Sequence, residues 1–405
     1  MRILMINSVA DRISTGQIMY ELYLFLKNCG HEVRFCYGRG KIIDNEDFER
    51  IDSQLEFFSH IAISRITGLQ GYYSNLATTR LLKTIKEFNP EIVVLGNIHG
   101  YYLNAFRLLN YLKQRRIMTV YYMFDEYAFL GKCAFFDNCD RFKSECSSCP
   151  KKKGYPKSLI FDTSTKIFRD KLKVYSGFDT LRFVSVPYTV SRSKESALFR
   201  ETNAIVYSYG WGIDTHVEFV PMDNEPLRKK LGIPDENVVI LAVAPYSNPR
   251  KGIKQYYYKI AEQLKDLPFS FVHVGFDGTE EEKPKNVMTI PFVREQKELA
   301  SYFSLADLFV ITSVSEGFPT VCLDALSCGT PICGFDTSGT PYVAPAPYGH
   351  YIQPFDFVKM SEYIKQTGKK TKVTIKACRQ FAENNLDSAR IFGKMMKQIE
   401  IELHS

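Results

Sequence analysis

No apolar run in this 405-residue chain approaches the length of a membrane-spanning helix. The opening stretch MRILMINSV turns polar too early for a secretory leader and reads as a first β-strand. The expected location is therefore the cytoplasm, with peripheral contact at the inner face of the membrane as a further expectation. No Gly-x-Gly-x-x-Gly fingerprint is present, which disfavours a nicotinamide cofactor. No Asp-x-Asp dyad closes a strand to hold a metal-diphosphate. Short internal repeats, low-complexity tracts and the dense basic stripe of a nucleic-acid binder are absent as well. The net charge is only +7, from 52 basic and 45 acidic residues. That excess suits an anionic ligand such as a nucleotide diphosphate, or an anionic membrane surface. The basic runs Lys151–Lys153 and Lys369, Lys370 and Lys372 read as solvated surface.

What is present points to α/β architecture. The chain is too long for one ordinary core, and two domains of about 200 residues are the natural division. Short β-branched or aromatic runs alternate with amphipathic stretches, the mark of βαβ units and parallel sheets. Strands are expected at Arg2–Asn7, Glu32–Tyr37, Glu91–Leu95, Thr119–Phe124, Leu181–Val186 and Ala204–Tyr207 in the first half. The second half offers Val238–Ala244, Phe269–Val274, Val287–Ile290, Leu308–Thr312 and Pro331–Gly334. Helical patterns lie between them at Ile18–Cys29, Thr79–Phe88, Tyr256–Leu267 and Leu299–Ala306. A boundary is expected near Trp211–Gly212, before the polar, proline-bearing stretch Pro221–Pro226. This gives an N-terminal domain 1–211, a second domain 212–376 and terminal helices 377–405.

The most informative stretch is SEGFPTVCLDALSCGTPICGF, Ser315–Phe335. It follows the apolar run LFVITS, turns through Gly317 and Pro319, and opens a helix near Thr320. Proline at a helix start costs no hydrogen bond. The free N–H groups of Thr320 and Val321, with the helix dipole, form an anion site suited to phosphate. Glu316 precedes the turn and Asp324 lies inside the helix, so two carboxylates can accept hydrogen bonds from sugar or ribose hydroxyls. A plain strand-to-helix turn, with the acid serving only the dipole, is the alternative.

This stretch resembles the donor-binding signature of retaining glycosyltransferases of family 4, in which two acids with seven residues between them precede a small-residue-Gly-Thr-Pro turn. The resemblance implies a GT-B fold, two Rossmann-like domains with parallel sheets facing an interdomain cleft. It implies a UDP-, GDP- or ADP-sugar donor. Glu316 would hold hydroxyls of the transferred sugar, Asp324 the ribose, and the Thr320 and Val321 amides the diphosphate, with Gly317 and Phe318 at the turn beside the donor. The family's second acid is usually Glu; here it is Asp324. In NPRKG, Asn248–Gly252, Lys251 takes by resemblance the role of the cation on the donor phosphates, with Arg250 as helper. An arginine usual earlier in that loop is replaced by Pro245. Gly16, in the strand-to-helix segment NSVADRISTGQI, matches the glycine that approaches the donor phosphate; an ordinary turn is the alternative.

Two further segments close first-half strands: NIHG, Asn97–Gly100, and FDEY, Phe124–Tyr127. Residues at the carboxyl ends of parallel strands face the ligand side, which nominates His99, Asp125 and Glu126. Relatives that make bacterial surface polysaccharides read His-Asp where this chain has Phe124-Asp125. His99 is the candidate substitute, the alternative being a bond to loop backbone. Finally, Cys133, Cys139, Cys146 and Cys149 place four sulfurs within 17 positions, a set suited to a closed, structural zinc site. Two disulfides, or free thiols, are the alternatives.

Together these readings predict a retaining, metal-independent hexosyltransferase. It would use a UDP- or GDP-type nucleotide sugar and no catalytic cofactor. By the resemblance, the acceptor is a saccharide or lipid-linked saccharide of capsule, exopolysaccharide or O-antigen assembly. A non-catalytic GT-B partner or sugar-binding subunit, and a GT-B sugar-nucleotide epimerase, are the rival readings.

Overall fold

The computed structural model describes residues 1–10, 15–135 and 139–404. The chain divides into two compact units: Met1–Trp211 with the residues from Phe392 onward, and Gly212–Ile391.

The first unit carries, among the described residues, strands β1 (Arg2–Val9), β2 (Glu32–Arg39), β3 (Phe48–Arg50), β4 (Ile92–Leu95), β5 (Met118–Tyr122), β6 (Leu181–Val184) and β7 (Val206–Tyr207). They form one sheet in the order β3-β2-β1-β4-β5-β6-β7, parallel throughout. The second unit carries β8 (Val238–Val243), β9 (Phe269–Val274), β10 (Val287–Ile290), β11 (Leu308–Ile311), β12 (Ile332–Phe335) and β13 (Gly349–Ile352). Their order is β10-β9-β8-β11-β12-β13, again all parallel.

The sequence of β8 shows why such strands read as unbroken apolar runs. Val239 and Leu241 join one core with Phe309 and Ile311, while Val238, Ile240 and Ala242 join a second core with Leu308 and Val310. Side chains alternate between faces, and here both faces are covered. In each sheet the strand order reverses direction once, between β1 and β4 and between β8 and β11. Ligand residues in open α/β sheets gather at the carboxyl ends beside that reversal.

The terminal helix Ser388–Leu403 buries Phe392, Met395, Met396 and Ile399, one stripe at helical spacing. Phe392 packs on Phe25, with ring centroids 5.9 Å apart, and Glu402 is bonded by Arg182 and Tyr207.

Several expectations are corrected. β3 and β13 are strands that the sequence reading did not include. The helix expected over Tyr256–Leu267 instead opens as a π turn, Ile253–Tyr257, continues as an α-helix and stops at Gln263. Lys370 is not a solvated surface lysine. Its ammonium turns inward to Ser304 O and Thr330 Oγ1, each at 2.7 Å, and burial pushes its pKa down to about 8. Among the described residues, no helix is long and apolar enough to cross a membrane.

Candidate functional site

The candidate residues assemble into two pairs, one in each unit. In the second unit the chain leaving β8 passes Asn248, whose side chain accepts the Arg250 N–H at 3.1 Å and opens a short 3-10 turn, Pro249–Lys251. Gly252 ends that turn at φ 68°, and a Cβ there would lie 2.2 Å from Thr312 O. Only glycine permits so close an approach to the segment leaving β11. Backbone and side-chain bonds then fasten the two segments together. The Val314 N–H donates to Arg250 O (2.9 Å), and the Thr312 hydroxyl donates to Lys251 O (3.0 Å).

As a result the Lys251 ammonium sits 2.7 Å from Glu316 Oε1. Glu316 is held from its other side too, because the Gly339 N–H donates to Glu316 O at 2.7 Å. Gly339 approaches so closely that a Cβ would lie 1.7 Å from Gly317 O. Gly317 itself is exposed, with open space where a side chain would project. The helix Thr320–Ser327 starts after Pro319 with no side-chain cap, leaving the N–H groups of Thr320 and Val321 for a ligand. Thr320 is exposed, Phe318 and Val321 are half-buried, and Asp324 is buried. The buried Cys322 thiol registers the whole group. Burial raises its pKa well above the usual thiol range, Glu316 and Asp324 raise it further, and Lys251 opposes them. A half-exposed ion pair contributes only about 0–1 kcal/mol to stability. The pair can therefore exchange its partner for a ligand at small structural cost.

In the first unit, Asn7 at the end of β1 accepts the Asn97 N–H at 2.8 Å and sets the turn after β4. His99 follows on this turn, and its carbonyl is bonded by the Gln70 side chain. Asp125, just after β5, accepts the Tyr127 N–H on Oδ1 at 3.0 Å, while Oδ2 faces His99 Nε2 at 3.0 Å. The imidazole stacks on Tyr127 at 4.4 Å and meets the edge of Tyr155 at 5.8 Å. His99 thus bonds a carboxylate, not loop backbone. Its other nitrogen, Nδ1, is buried and has no hydrogen-bond partner among the described residues. With Asp125 able only to accept, Nε2 is assigned the proton.

Behind Tyr127 lies Lys171, on the helix Ser164–Tyr175, a residue that the sequence analysis did not nominate. Its ammonium is 3.6 Å from the Tyr127 ring centroid and donates to the carbonyls of Tyr127, Leu130 (2.9 Å) and Gly131 (3.1 Å). Burial pushes its pKa down to about 7, opposed by the Cys146 and Cys133 thiols and the Asp125 carboxylate.

The remaining candidates fare differently. Gly16 is the second residue of the helix Thr15–Asn28 and is buried, while residues 11–14 of its loop lie outside the described residues. Arg250 reaches toward Ser315 O at 3.4 Å. Phe124 stacks on Tyr122 at 5.1 Å and packs on Trp211, occupying apolar surroundings. The four loop cysteines are free thiols, so neither of the two disulfides forms. Among the described residues, no three His, Cys, Asp or Glu side chains are placed to hold a metal ion. Burial and neighbouring thiols raise Cys133 to about 12 and Cys146 to about 11, and the Cys146 sulfur already accepts the Gly131 N–H at 3.2 Å. Residues 136–138 of this loop lie outside the described residues.

Comparison with known proteins agrees with this geometry. Residues 223–387 match the family described as Glycosyl transferases group 1. The chain is 21% identical over 347 residues to the putative colanic acid biosynthesis glycosyl transferase WcaC of Escherichia coli K12, covering 82% of each protein. Among solved structures it is similar to sucrose-phosphate synthase of Thermosynechococcus elongatus, with 14% identity and a TM-score of 0.65 over 100% of this chain and 99% of that one. It is also similar to HepE of Anabaena in complex with UDP, with 13% identity and a TM-score of 0.63 over 99% and 100%. The architecture is therefore the GT-B fold, and its second unit is similar to the glycosyl transferases group 1 family over residues 223–387.

Proposed function

We propose that this GT-B glycosyltransferase moves a hexose from a nucleoside-diphosphate sugar to an acceptor hydroxyl in polysaccharide assembly, retaining anomeric configuration without a metal. The observation that carries the reading is the 2.7 Å Lys251–Glu316 pair beside an uncapped helix start. As the bond from the anomeric carbon to the β-phosphate oxygen breaks, negative charge collects on the departing phosphate. The Lys251 ammonium and the Thr320 and Val321 N–H groups stabilise that charge where it develops. Glu316, released by Lys251, accepts hydrogen bonds from the sugar hydroxyls, and Asp324 serves the ribose. The acceptor oxygen bonds the anomeric carbon on the face the phosphate leaves, and its proton passes to the phosphate oxygen. No protein nucleophile is required. Asp125, the more exposed member of its pair, orients the acceptor. His99, with its free nitrogen buried, acts as a positioning residue through Asp125.

The relatives support the donor class and the pathway: HepE was solved with UDP, and WcaC is named for colanic acid biosynthesis. A thermal-shift series with UDP-, GDP- and ADP-glucose tests the proposal, since a ligand that binds the folded state raises the melting temperature. A rise with one base and glycosylated product with a saccharide acceptor are expected. Binding without turnover would mark a sugar-binding subunit, and donor conversion without acceptor an epimerase. No shift with any of the three would end the proposal.

A further inference from the structure

The helix Gln54–Thr67 is amphipathic in the inverted sense. Its buried positions are His60 and Ser64, both polar. His60 is satisfied inside the fold, with Nδ1 2.8 Å from Ser74 Oγ, and burial lowers its pKa to about 4, so it is neutral there. The solvent side carries Leu55, Phe58, Ile63 and Ile66, between 42% and 79% exposed. With the exposed Ala62 these residues follow one helical stripe.

A second apolar segment adjoins the end of that helix. The Leu159 N–H donates to Arg65 O at 2.7 Å, and the Thr163 hydroxyl donates to Gly68 O at 2.7 Å. This anchoring presents Leu159, Ile160 and Phe161, each about half exposed. A monomer rarely shows water a contiguous apolar patch of this kind without a partner for it.

The charge around the patch identifies that partner. Arg65, Lys153 and Lys157 are exposed beside it, and the Lys152 ammonium rests on Ile160 O at 2.9 Å. The nearby acids are engaged elsewhere: Glu56 pairs with Arg80, and Asp162 takes the backbone N–H groups of Cys149 and Ser164. An apolar face rimmed by four exposed or half-buried cations and one nearby unpaired acid, Asp162, carries a net positive charge among the described residues and matches the interface of an anionic bilayer, apolar beneath and negative at its surface.

We propose that the stripe Leu55–Ile66 and the segment Leu159–Phe161 dock the first unit on an anionic lipid surface. The inference stands on this unit alone. It rests on the proposed reaction only for its consequence, that Tyr155 of the same loop, edge-on to His99, lies where a lipid-linked acceptor would arrive.

Flotation with phosphatidylglycerol–phosphatidylcholine vesicles tests the docking, using the full chain and the double variants Phe58→Ser with Phe161→Ser and Lys153→Glu with Lys157→Glu. Wild type is expected to float with the anionic vesicles and to be lost from pure phosphatidylcholine. Each variant should bind the anionic vesicles at least tenfold less, with unchanged melting temperature and unchanged nucleoside-diphosphate binding. Equal flotation of wild type and variants, or none by wild type, would overturn the proposal. So would a concentration-dependent dimer in light scattering that both variants abolish, because the patch would then cover a second copy. Retained diphosphate binding in the variants separates failure of docking from failure of the donor reading.

Discussion

Lys251 and Glu316 meet at 2.7 Å with 30% and 16% of their side chains exposed, whereas His99 and Asp125 meet at 3.0 Å with 3% and 13%. Both pairs follow adjacent parallel strands at or next to the reversal of strand order, so the fold treats them alike. Solvent does not. Screening makes the first pair weak and exchangeable, and an anionic ligand can displace Glu316 from Lys251. Stacking on Tyr127 and burial fix the second pair in one orientation, suiting it to direct a group and not to be displaced. The proposed reaction accordingly uses the second unit for charge stabilisation and the first for acceptor positioning.

Substitutions can break this contrast. The largest effect is expected from Lys251→Ala, which removes a preorganised charge at the leaving group and should lower kcat by about 10²–10³-fold. Steady-state transfer assays check it, and a loss under tenfold would contradict the assignment. Next comes Asp125→Ala, expected to cost about 10²-fold in transfer while donor affinity stays unchanged. His99→Asn should lower transfer by less than Asp125→Ala, again through kcat and not through the KM for donor. If either variant weakened donor binding instead, the division of labour would fail.

The smallest effect concerns the support behind His99. The Lys171 pKa is depressed to about 7 in the fold against 10.5 unperturbed. Between these values the unfolded chain binds the additional proton, so the penalty for enclosing the ammonium is full below pH 7 and fades as pH rises toward 10. The melting temperature of wild type relative to Lys171→Met should therefore climb from pH 7 to pH 10. A flat difference would show that the ammonium stays charged against its three carbonyls across that range.

Much of the fold was legible because parallel strands buried on both faces must be apolar without interruption, as in VVILAV and LFVI. β3 escaped because three residues, FER, carry no period, and β13 because GHYI opens on glycine and histidine. The helix Gln54–Thr67 escaped for a different reason: its apolar side chains face solvent, so its pattern points away from any core. At the site, Glu316 was nominated by the turn chemistry around it and Lys251 by the family resemblance. The contact between them was not legible, since it depends on Gly252 letting its backbone touch that of Thr312, 60 positions on, and on Gly339 closing against Gly317. Lys171 gave no signal, because its partners are carbonyls, which every residue possesses. The cysteine spacing left zinc, disulfides and free thiols open, and the structure removes only the disulfides.

The most direct measurement is calorimetric titration of the preferred nucleoside diphosphate and its sugar into wild type, Lys251→Ala and Glu316→Gln. Lys251→Ala should weaken the diphosphate at least tenfold. Glu316→Gln should leave the diphosphate as tight as before or tighter, since Lys251 is freed, yet lose the added affinity of the sugar. Equal affinities across all three proteins would contradict the account.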